Sequence, residues 1–289
     1  MKRDPTLEQI AELMDELYAY HHRIVVIKIG GNSIAEDEHF LAKIAKQAKF
    51  LRQNGVRVVL VHGGGPQIDE ALRVKKIETK KGADGRRITS PKAMRVVYKV
   101  MNDMNRRVAS ALFAEGVSKE KVLTAVGYKG YFVEAAPLDA DNADNRSGKP
   151  SHVRIKDIQR ALDAARIVIL HSVGIGADGK SIFNINGDDY AMAVAIALKA
   201  KRLILATNVP GVFDEKRKRI PTIDQAMAEE LMEQGIITGG MVPKVESALW
   251  VVKQGVGGVA IIDGHRSWSI LAELLTREGF GTLFQARVG

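Results

Sequence analysis

Two apolar runs each break into glycine where a strand would end. The first is Ile24-Val25-Val26-Ile27-Lys28-Ile29-Gly30-Gly31 and the second is Val58-Val59-Leu60-Val61-His62-Gly63-Gly64-Gly65. Short apolar runs bounded by glycine read as strands of a buried sheet. Glycine allows positive φ and lets a ligand approach the backbone closely. Successive N–H groups then make an anion-binding concavity. A chain built this way is expected to handle phosphate.

The pattern beyond these runs alternates. A helical pattern covers about 36–53 and closes at Asn54-Gly55. Residues 77–89 read as a hairpin turning at Ala83-Asp84-Gly85. Pro91 opens a helix to about residue 115, ended by Gly116. Residues 122–126 and 131–135 read as strands, and the polar stretch 138–150 as an exposed loop. Then come a strand at 166–173, a helix at 188–199, a strand at 202–207 and two helices within 224–254. A strand at 259–263, a helix at 268–275 and a last strand at 282–284 complete the chain. There is no internal repeat. This alternation predicts an α/β fold with a largely parallel sheet, whose ligands sit beyond the carboxyl ends of the strands. Ahead of it, Leu7, Ile10, Met14, Leu17 and Tyr18 share one helical face. Thr6 and Gln9 could form a capping box, and Asp4-Pro5 is another start. That stripe must cover its own body or another subunit, and self-packing is the simpler expectation.

The 289 residues, 46% hydrophobic and 27% charged, suit one large domain or two lobes sharing a core. No run of eighteen apolar residues marks a membrane span. The charged start Met1-Lys2-Arg3-Asp4 has no secretory character, so a cytoplasmic protein is expected. With no cysteine, disulfides, thiolate metal sites and cysteine nucleophiles are excluded. The net charge of +9 points to anionic partners. The basic residues cluster at 75–81, Arg86-Arg87 and 216–219 without interleaved aromatics, which favours a small anionic substrate over nucleic acid.

Four segments carry candidate chemistry. Lys28 ends an apolar strand beside Gly30-Gly31, as a phosphate contact or as an edge lysine reaching outward. In His62-Gly63-Gly64-Gly65-Pro66, three glycines and a proline at a helix start aim amides at an anion. His62 alone could be a packed polar residue. Asn184-Ile185-Asn186-Gly187-Asp188-Asp189 puts two amides and two acids at a strand–helix junction. Thr238-Gly239-Gly240-Met241-Val242-Pro243-Lys244 delivers a second lysine at a helix start. Two such lysines could clamp a phosphoryl group, and electrostatic clamping is most of what phosphoryl transfer needs. A competing motif, Gly174-Ile175-Gly176-Ala177-Asp178-Gly179-Lys180-Ser181, matches the Walker A pattern. The alternation that follows Lys180 reads as a strand, however, and Ala177-Asp178-Gly179 as a hairpin turn.

Taken together, these segments resemble the amino acid kinase family. The similarity runs from Val26 to Thr282 through 26–31, 61–68, 85–89, 184–188, 208–212, 239–245 and 278–282. The resemblance implies an open three-layer αβα sandwich with a mainly parallel central sheet. It implies an N-terminal helix at 1–22, an acyl amino acid lobe at 23–173 and an ATP lobe at 174–289. The implied reaction moves the γ-phosphoryl group of ATP to a side-chain carboxylate, with N-acetyl-L-glutamate the leading acceptor. An aminoadipate or glutamate carried on a protein, or a ligand-sensing relative without turnover, are the alternatives. By matching position, Lys28 and Lys244 are the implied transition-state cations and Asp188 the group holding both. Gly64 and Gly65 are the implied amides for the transferring group. Arg87 and Asn184 are the implied ligands of the substrate's α-carboxylate. Gly30, Gly31, Asn208, Val209, Gly211, Gly239, Gly240 and Met241 fall to the nucleotide. Mg²⁺ would ride on the phosphates, with no metal ligand from the protein. The long form of such enzymes implies a homodimer or homohexamer and an arginine effector, near Tyr18 or Tyr20, Glu273 and Gly281. Asn208, Gly187, the stretch Gly127-Tyr128-Lys129-Gly130-Tyr131-Phe132, Asn102-Asp103-Met104 and the loop 139–150 depart from the family pattern.

Overall fold

The computed structural model describes residues 5–82, 85–126, 131–277 and 279–286. The proposed turn residues Ala83 and Asp84, the departing stretch 127–130, and Glu278 lie outside them. In chain order the elements begin α1 (Pro5–Ala19), β1 (Ile24–Ile29), α2 (Gly31–Glu36), α3 (Phe40–Gln53), β2 (Arg57–His62) and α4 (Gly65–Val74). They continue β3 (Lys80–Lys81), β4 (Arg87–Ile88), α5 (Pro91–Ala114), β5 (Val122–Thr124), β6 (Val133–Pro137), β7 (Ser147–Val153) and α6 (Ile155–Asp163). Then follow β8 (Ile167–His171), β9 (Val173–Gly176), β10 (Ile182–Ile185), α7 (Gly187–Ala197), β11 (Arg202–Thr207) and β12 (Thr222–Ile223). Last are α8 (Gln225–Glu233), α9 (Val242–Lys253), β13 (Val259–Asp263), α10 (Ser269–Leu275) and β14 (Thr282–Phe284).

Alternation along the strands builds three layers. Val26, Val59, Val61, Val168, Leu170, Leu203 and Leu205 pack on one face with α6, α7 and α9. Val25, Ile27, Ile29, Val58, Leu60, Ile167, Ile169 and Ile204 pack on the other with α3, α5 and α10. The sheet order is β12-β14-β13-β11-β1-β2-β8-β5. Its pairs are parallel apart from β13 with β14. The expected sandwich is therefore what forms, and its parallel strands end along one edge.

Several local expectations are corrected. The helix read from about 36 to 53 starts later, as α3 at Phe40, and a separate short helix α2 precedes it, because Asp37 leaves helical geometry. The strand read over 166–173 breaks at Ser172, where β8 ends in the main sheet and β9 begins elsewhere. The polar stretch 138–150 is not all loop. It leads into β7, and Asn145 and Ser147 are buried. Their burial is tolerated because Asn145 Oδ1 accepts from the Thr89 and Ser147 amides at 3.3 and 3.0 Å. Strands β10, β7, β6 and β9 close into a small barrel apart from the main sheet. Helix α1 begins at Pro5, so Thr6 lies inside it and not at a cap. Its stripe does not self-pack. Leu7, Ile10, Met14 and Tyr18 are exposed, Met14 at 66% and Tyr18 at 80%, and Leu17 alone of the five packs on the core.

The barrel closes tightly at Gly174. A Cβ there would stand 2.7 Å from Ile185 Cδ1, 2.9 Å from Ala135 Cβ and 3.1 Å from the Val133 carbonyl oxygen. Gly174→Ala is expected to cost about 1–3 kcal/mol through overpacking, read from urea unfolding midpoints. An unchanged midpoint would mean that the barrel has slack there.

Candidate active site

Lys28 stands one residue before the end of β1, a central strand flanked by β2 and β11, so it is not an edge lysine. Its side chain is 13% exposed, and Nζ meets Asp188 Oδ1 at 2.8 Å. An ammonium at such a depth needs a partner. Asp188 is supplied by the first turn of α7, where an acid also suits the helix dipole. Asn186 caps that helix, its Oδ1 accepting from the Asp188 amide at 2.8 Å and from the Asp189 amide at 3.3 Å.

The glycine loops meet here. A Cβ on Gly31 would stand 3.0 Å from the Gly65 nitrogen and 3.2 Å from Gly64 Cα. Gly187 lies against Gly63 and the Lys28 stem, with distances from its ideal Cβ of 3.5 Å to Gly63 Cα and 3.7 Å to Lys28 Cε. Four helix N-termini thus open on one cleft of about 420 Å³, whose wall includes Gly31 of α2, Gly65 of α4, Gly187 of α7 and Lys244 of α9. Their partial positive charges favour an anion. The amides of Gly64 and Gly65 have no protein acceptor among the described residues. Lys244 is exposed on the wall and has no ion-pair partner among them. Asp188, expected to hold both lysines, pairs with Lys28, and Lys244 lines the same cleft from the first turn of α9 with no ion pair to Asp188.

The hairpin of β3 and β4 brings a basic edge to the same cleft. Arg87 NH2 meets Asp69 Oδ1 at 2.5 Å, and NH1 donates to Thr79 Oγ1 at 3.3 Å. Its side chain is only 7% exposed. Arg86 NH2 meets Asp189 Oδ2 at 2.8 Å. Asn184 donates from Nδ2 to Thr89 Oγ1 at 3.1 Å and also lines the cleft. Asp69 has no signal of its own in the sequence. Asp189 is one of the two acids of the 184–189 segment and Arg86 lies in the basic pair, but their pairing across about a hundred residues leaves no local signal.

Of the expected nucleotide residues, Gly30, Gly31 and Asn208 line the cleft. Val209, Gly211 and Gly239–Met241 do not. Val209 packs on the core, and Gly211, at φ 135°, makes room for Thr282, whose hydroxyl accepts from the Val212 amide at 2.8 Å. Gly239–Met241 forms the single turn that leads into α9. Away from the cleft, Tyr20 is buried and its hydroxyl accepts from Arg202 Nε and NH2 at 3.1 and 2.8 Å. Glu273 Oε2 accepts from the Phe280 and Gly281 amides at 2.7 and 2.8 Å. Burial holds the Tyr20 hydroxyl above its ordinary pKa, against the lowering by Arg202, and the charges of Glu16 and Glu273 add to the rise. Tyr18 faces outward from α1. The Walker A lysine, Lys180, sits at the exposed turn between β9 and β10, and no helix starts there.

His62 is fully buried behind the glycine loop. Its Nδ1 lies 3.1 Å from the Gly63 carbonyl oxygen and its Nε2 lies 3.1 Å from Asn105 Nδ2. Burial, with His171 beside it, pushes the His62 pKa down to about 3. Burial pushes His171 down to about 4. The ordinary value is 6.5, so below it the unfolded chain binds protons that the folded chain refuses. Stability should be full above about pH 6.5 and fall toward pH 4, by up to about 1.4 kcal/mol per pH unit for each ring. Urea midpoints at about pH 7 and pH 5 should therefore differ less in His171→Leu than in the parent. Equal differences would show that His171 takes up its proton in the folded state.

A model of the amino acid kinase family matches residues 23–263. An acetylglutamate kinase of Ruegeria sp. (strain TM1040) is 36% identical, over 99% of this chain and 98% of that protein. An acetylglutamate kinase of Methylobacterium nodulans is 35% identical, over 96% and 93%. Among solved structures, N-acetylglutamate synthase from Neisseria gonorrhoeae, complexed with coenzyme A and N-acetyl-glutamate, superposes with a TM-score of 0.84 at 23% identity. It covers 99% of this chain and 65% of that one, and shares the fold.

Proposed function

The chain belongs to the amino acid kinase family, and we propose that it transfers the γ-phosphoryl group of ATP to the side-chain carboxylate of N-acetyl-L-glutamate, a step of arginine biosynthesis. The relatives named acetylglutamate kinase match over nearly their full length. The observation that carries the reading is the cleft itself, where Lys28 and Lys244 from distant segments share one wall with glycines 63–65.

The chemistry asks for little beyond charge and position. A carboxylate oxygen of the acceptor attacks the γ-phosphorus, the bond to the β–γ bridging oxygen breaks, and ADP leaves with that electron pair. The acceptor is already ionised near neutral pH, so no general base is required. No histidine lines the cleft among the described residues, and Asp188 is engaged by Lys28. Lys28 and Lys244 stabilise charge on the transferring group from two sides, with Asp188 orienting Lys28. The free amides of Gly64 and Gly65 add donors. Arg87 and Asn184 receive the α-carboxylate, an Arg fork being suited to it. The amino-terminal lobe (23–173) takes the acyl amino acid. The carboxy-terminal lobe (174–289) takes ATP, with Gly30, Gly31 and Asn208 at the cleft and Val209, Gly211 and Gly239–Met241 shaping its surroundings. The helix N-termini fit a triphosphate. In this reading Mg²⁺ is carried on the phosphates of ATP.

No helix among the described residues is long and apolar enough to cross a membrane, and a cytoplasmic enzyme is the matching location. Helix α1 serves assembly in this reading. Its exposed stripe meets the same stripe of another copy, giving a homodimer or a larger ring such as a hexamer. An arginine effector is read at the junction of α1 and α10, near Tyr20, Glu273 and Gly281, with Tyr18 at the intersubunit edge.

Trapping the acyl phosphate with hydroxylamine tests the reaction. N-acetyl-L-glutamate should give hydroxamate, free glutamate, N-acetylaminoadipate and carrier-linked glutamate much less. Lys28→Ala and Lys244→Ala should each lower turnover by about a hundredfold or more, while Lys180→Ala stays near the parent. An active Lys244→Ala enzyme would remove the clamp from the mechanism. Assembly is tested separately. The double variant Ile10→Asp, Met14→Asp should show a smaller mass by light scattering, and an unchanged mass would take the α1 stripe out of the interface.

A further inference from the structure

We infer that His62 is a positioning residue for phosphoryl transfer, holding the Gly63 carbonyl back so that the Gly64 N–H is presented to the cleft. The inference rests on the kinase reading above. His62 is the last residue of β2, and its ring faces the layer of α5, away from the cleft. It lines no part of the cleft wall, so it acts through the loop and not on substrate.

The donor assignment follows from the partners. A carbonyl oxygen only accepts, so Nδ1 must carry the proton that reaches Gly63. Nε2 is then a lone pair, and Asn105 Nδ2 is the donor that meets it. The same amide nitrogen donates to the Ile169 carbonyl on β8 at 3.3 Å. A chain of contacts thus runs from β8 through Asn105 and the ring to the loop. It requires a neutral ring, which burial secures.

The loop needs such a pin. The peptide between Gly63 and Gly64 has no side chain on either flank, so its plane can rotate at little steric cost. No peptide of the described residues is cis. In a trans peptide the carbonyl and the following N–H point in opposite directions. Drawing the Gly63 oxygen toward His62 therefore turns the Gly64 N–H the other way, where it has no protein acceptor among the described residues. The Gly63 amide, by contrast, donates to the Ile29 carbonyl at 3.2 Å and ties the loop to β1.

The side-chain amide of asparagine overlays the Nδ1 side of imidazole, and that of glutamine overlays Nε2. His62→Asn should keep the contact with Gly63, while His62→Gln and His62→Leu should lose it. We expect hydroxamate kcat to fall about a hundredfold in the Gln and Leu variants. KM for ATP and for N-acetyl-L-glutamate should stay within about threefold, and the Asn variant should recover most of the rate. Three variants losing rate in proportion to their loss of urea stability would overturn the inference, and so would an undiminished Gln variant. The tautomer gives a readout independent of turnover and of any variant's folding. Ring nitrogen shifts of ¹⁵N-histidine-labelled parent protein should show His62 protonated at Nδ1 alone at neutral pH. An Nε2–H tautomer or an imidazolium would refute the inference. An inactive parent would instead refute the kinase reading, leaving the tautomer to judge the pin.

Discussion

Where the loop after β1 meets the loop after β2, a methyl group on Gly31 would fit only if its neighbours moved. An added Cβ on Gly31 would press on the Gly64 and Gly65 backbone at 3.0–3.2 Å. The contact follows from the parallel sheet. Adjacent strands in register end side by side, with Lys28 opposite Val61 and Ile29 opposite His62, and each chain must turn at once to start a helix. Bulky residues would force the turns apart. Glycines let them nest, which brings the starts of α2 and α4 together. Helices α7 and α9 then add their own N-termini to the same edge. Backbone geometry thus contributes to the positive character of the cleft beside Lys28 and Lys244.

What the residue pattern reveals depends on whether the cause is local. The strands 202–207 and 259–263 match β11 and β13 because a buried parallel strand is one continuous apolar run. The glycine loops are legible for the same reason, since tight turns demand their residue types in place. The small barrel is hidden. Its strand β7 reads Ser-Gly-Lys-Pro-Ser-His-Val, polar enough to pass for loop, and its burial depends on Asn145 and Thr89 meeting across more than fifty residues. The break at Ser172 is hidden too, because β8 and β9 are both apolar and differ only in the sheet they join. Helix α6 had no glycine-bounded signal and was missed. At the site, residue types carried the signal for Lys28, Asp188, Asp189 and the glycines, whereas Asp69 gains meaning only from the arginine it faces, and the partner of Asp189 appears only in the fold.

Two adjacent acids on α7 divide the work of holding cations. Asp188 takes Lys28 from the sheet and Asp189 takes Arg86 from the hairpin. Both hang on one capped helix end. The hairpin and the lysine proposed to touch the transferring group are thus anchored on neighbouring residues of one helix start. Such neighbouring pairs are coupled and would not add independently in double variants.

Arg87 does not wait bare in the cleft, for Asp69 already sits on its guanidinium. On the proposed reading, an incoming carboxylate meets a guanidinium with one nitrogen already engaged and competes with Asp69 for that corner. The strength of its capture would then be the difference between two carboxylate contacts, and a neutral look-alike would have nothing to set against Asp69.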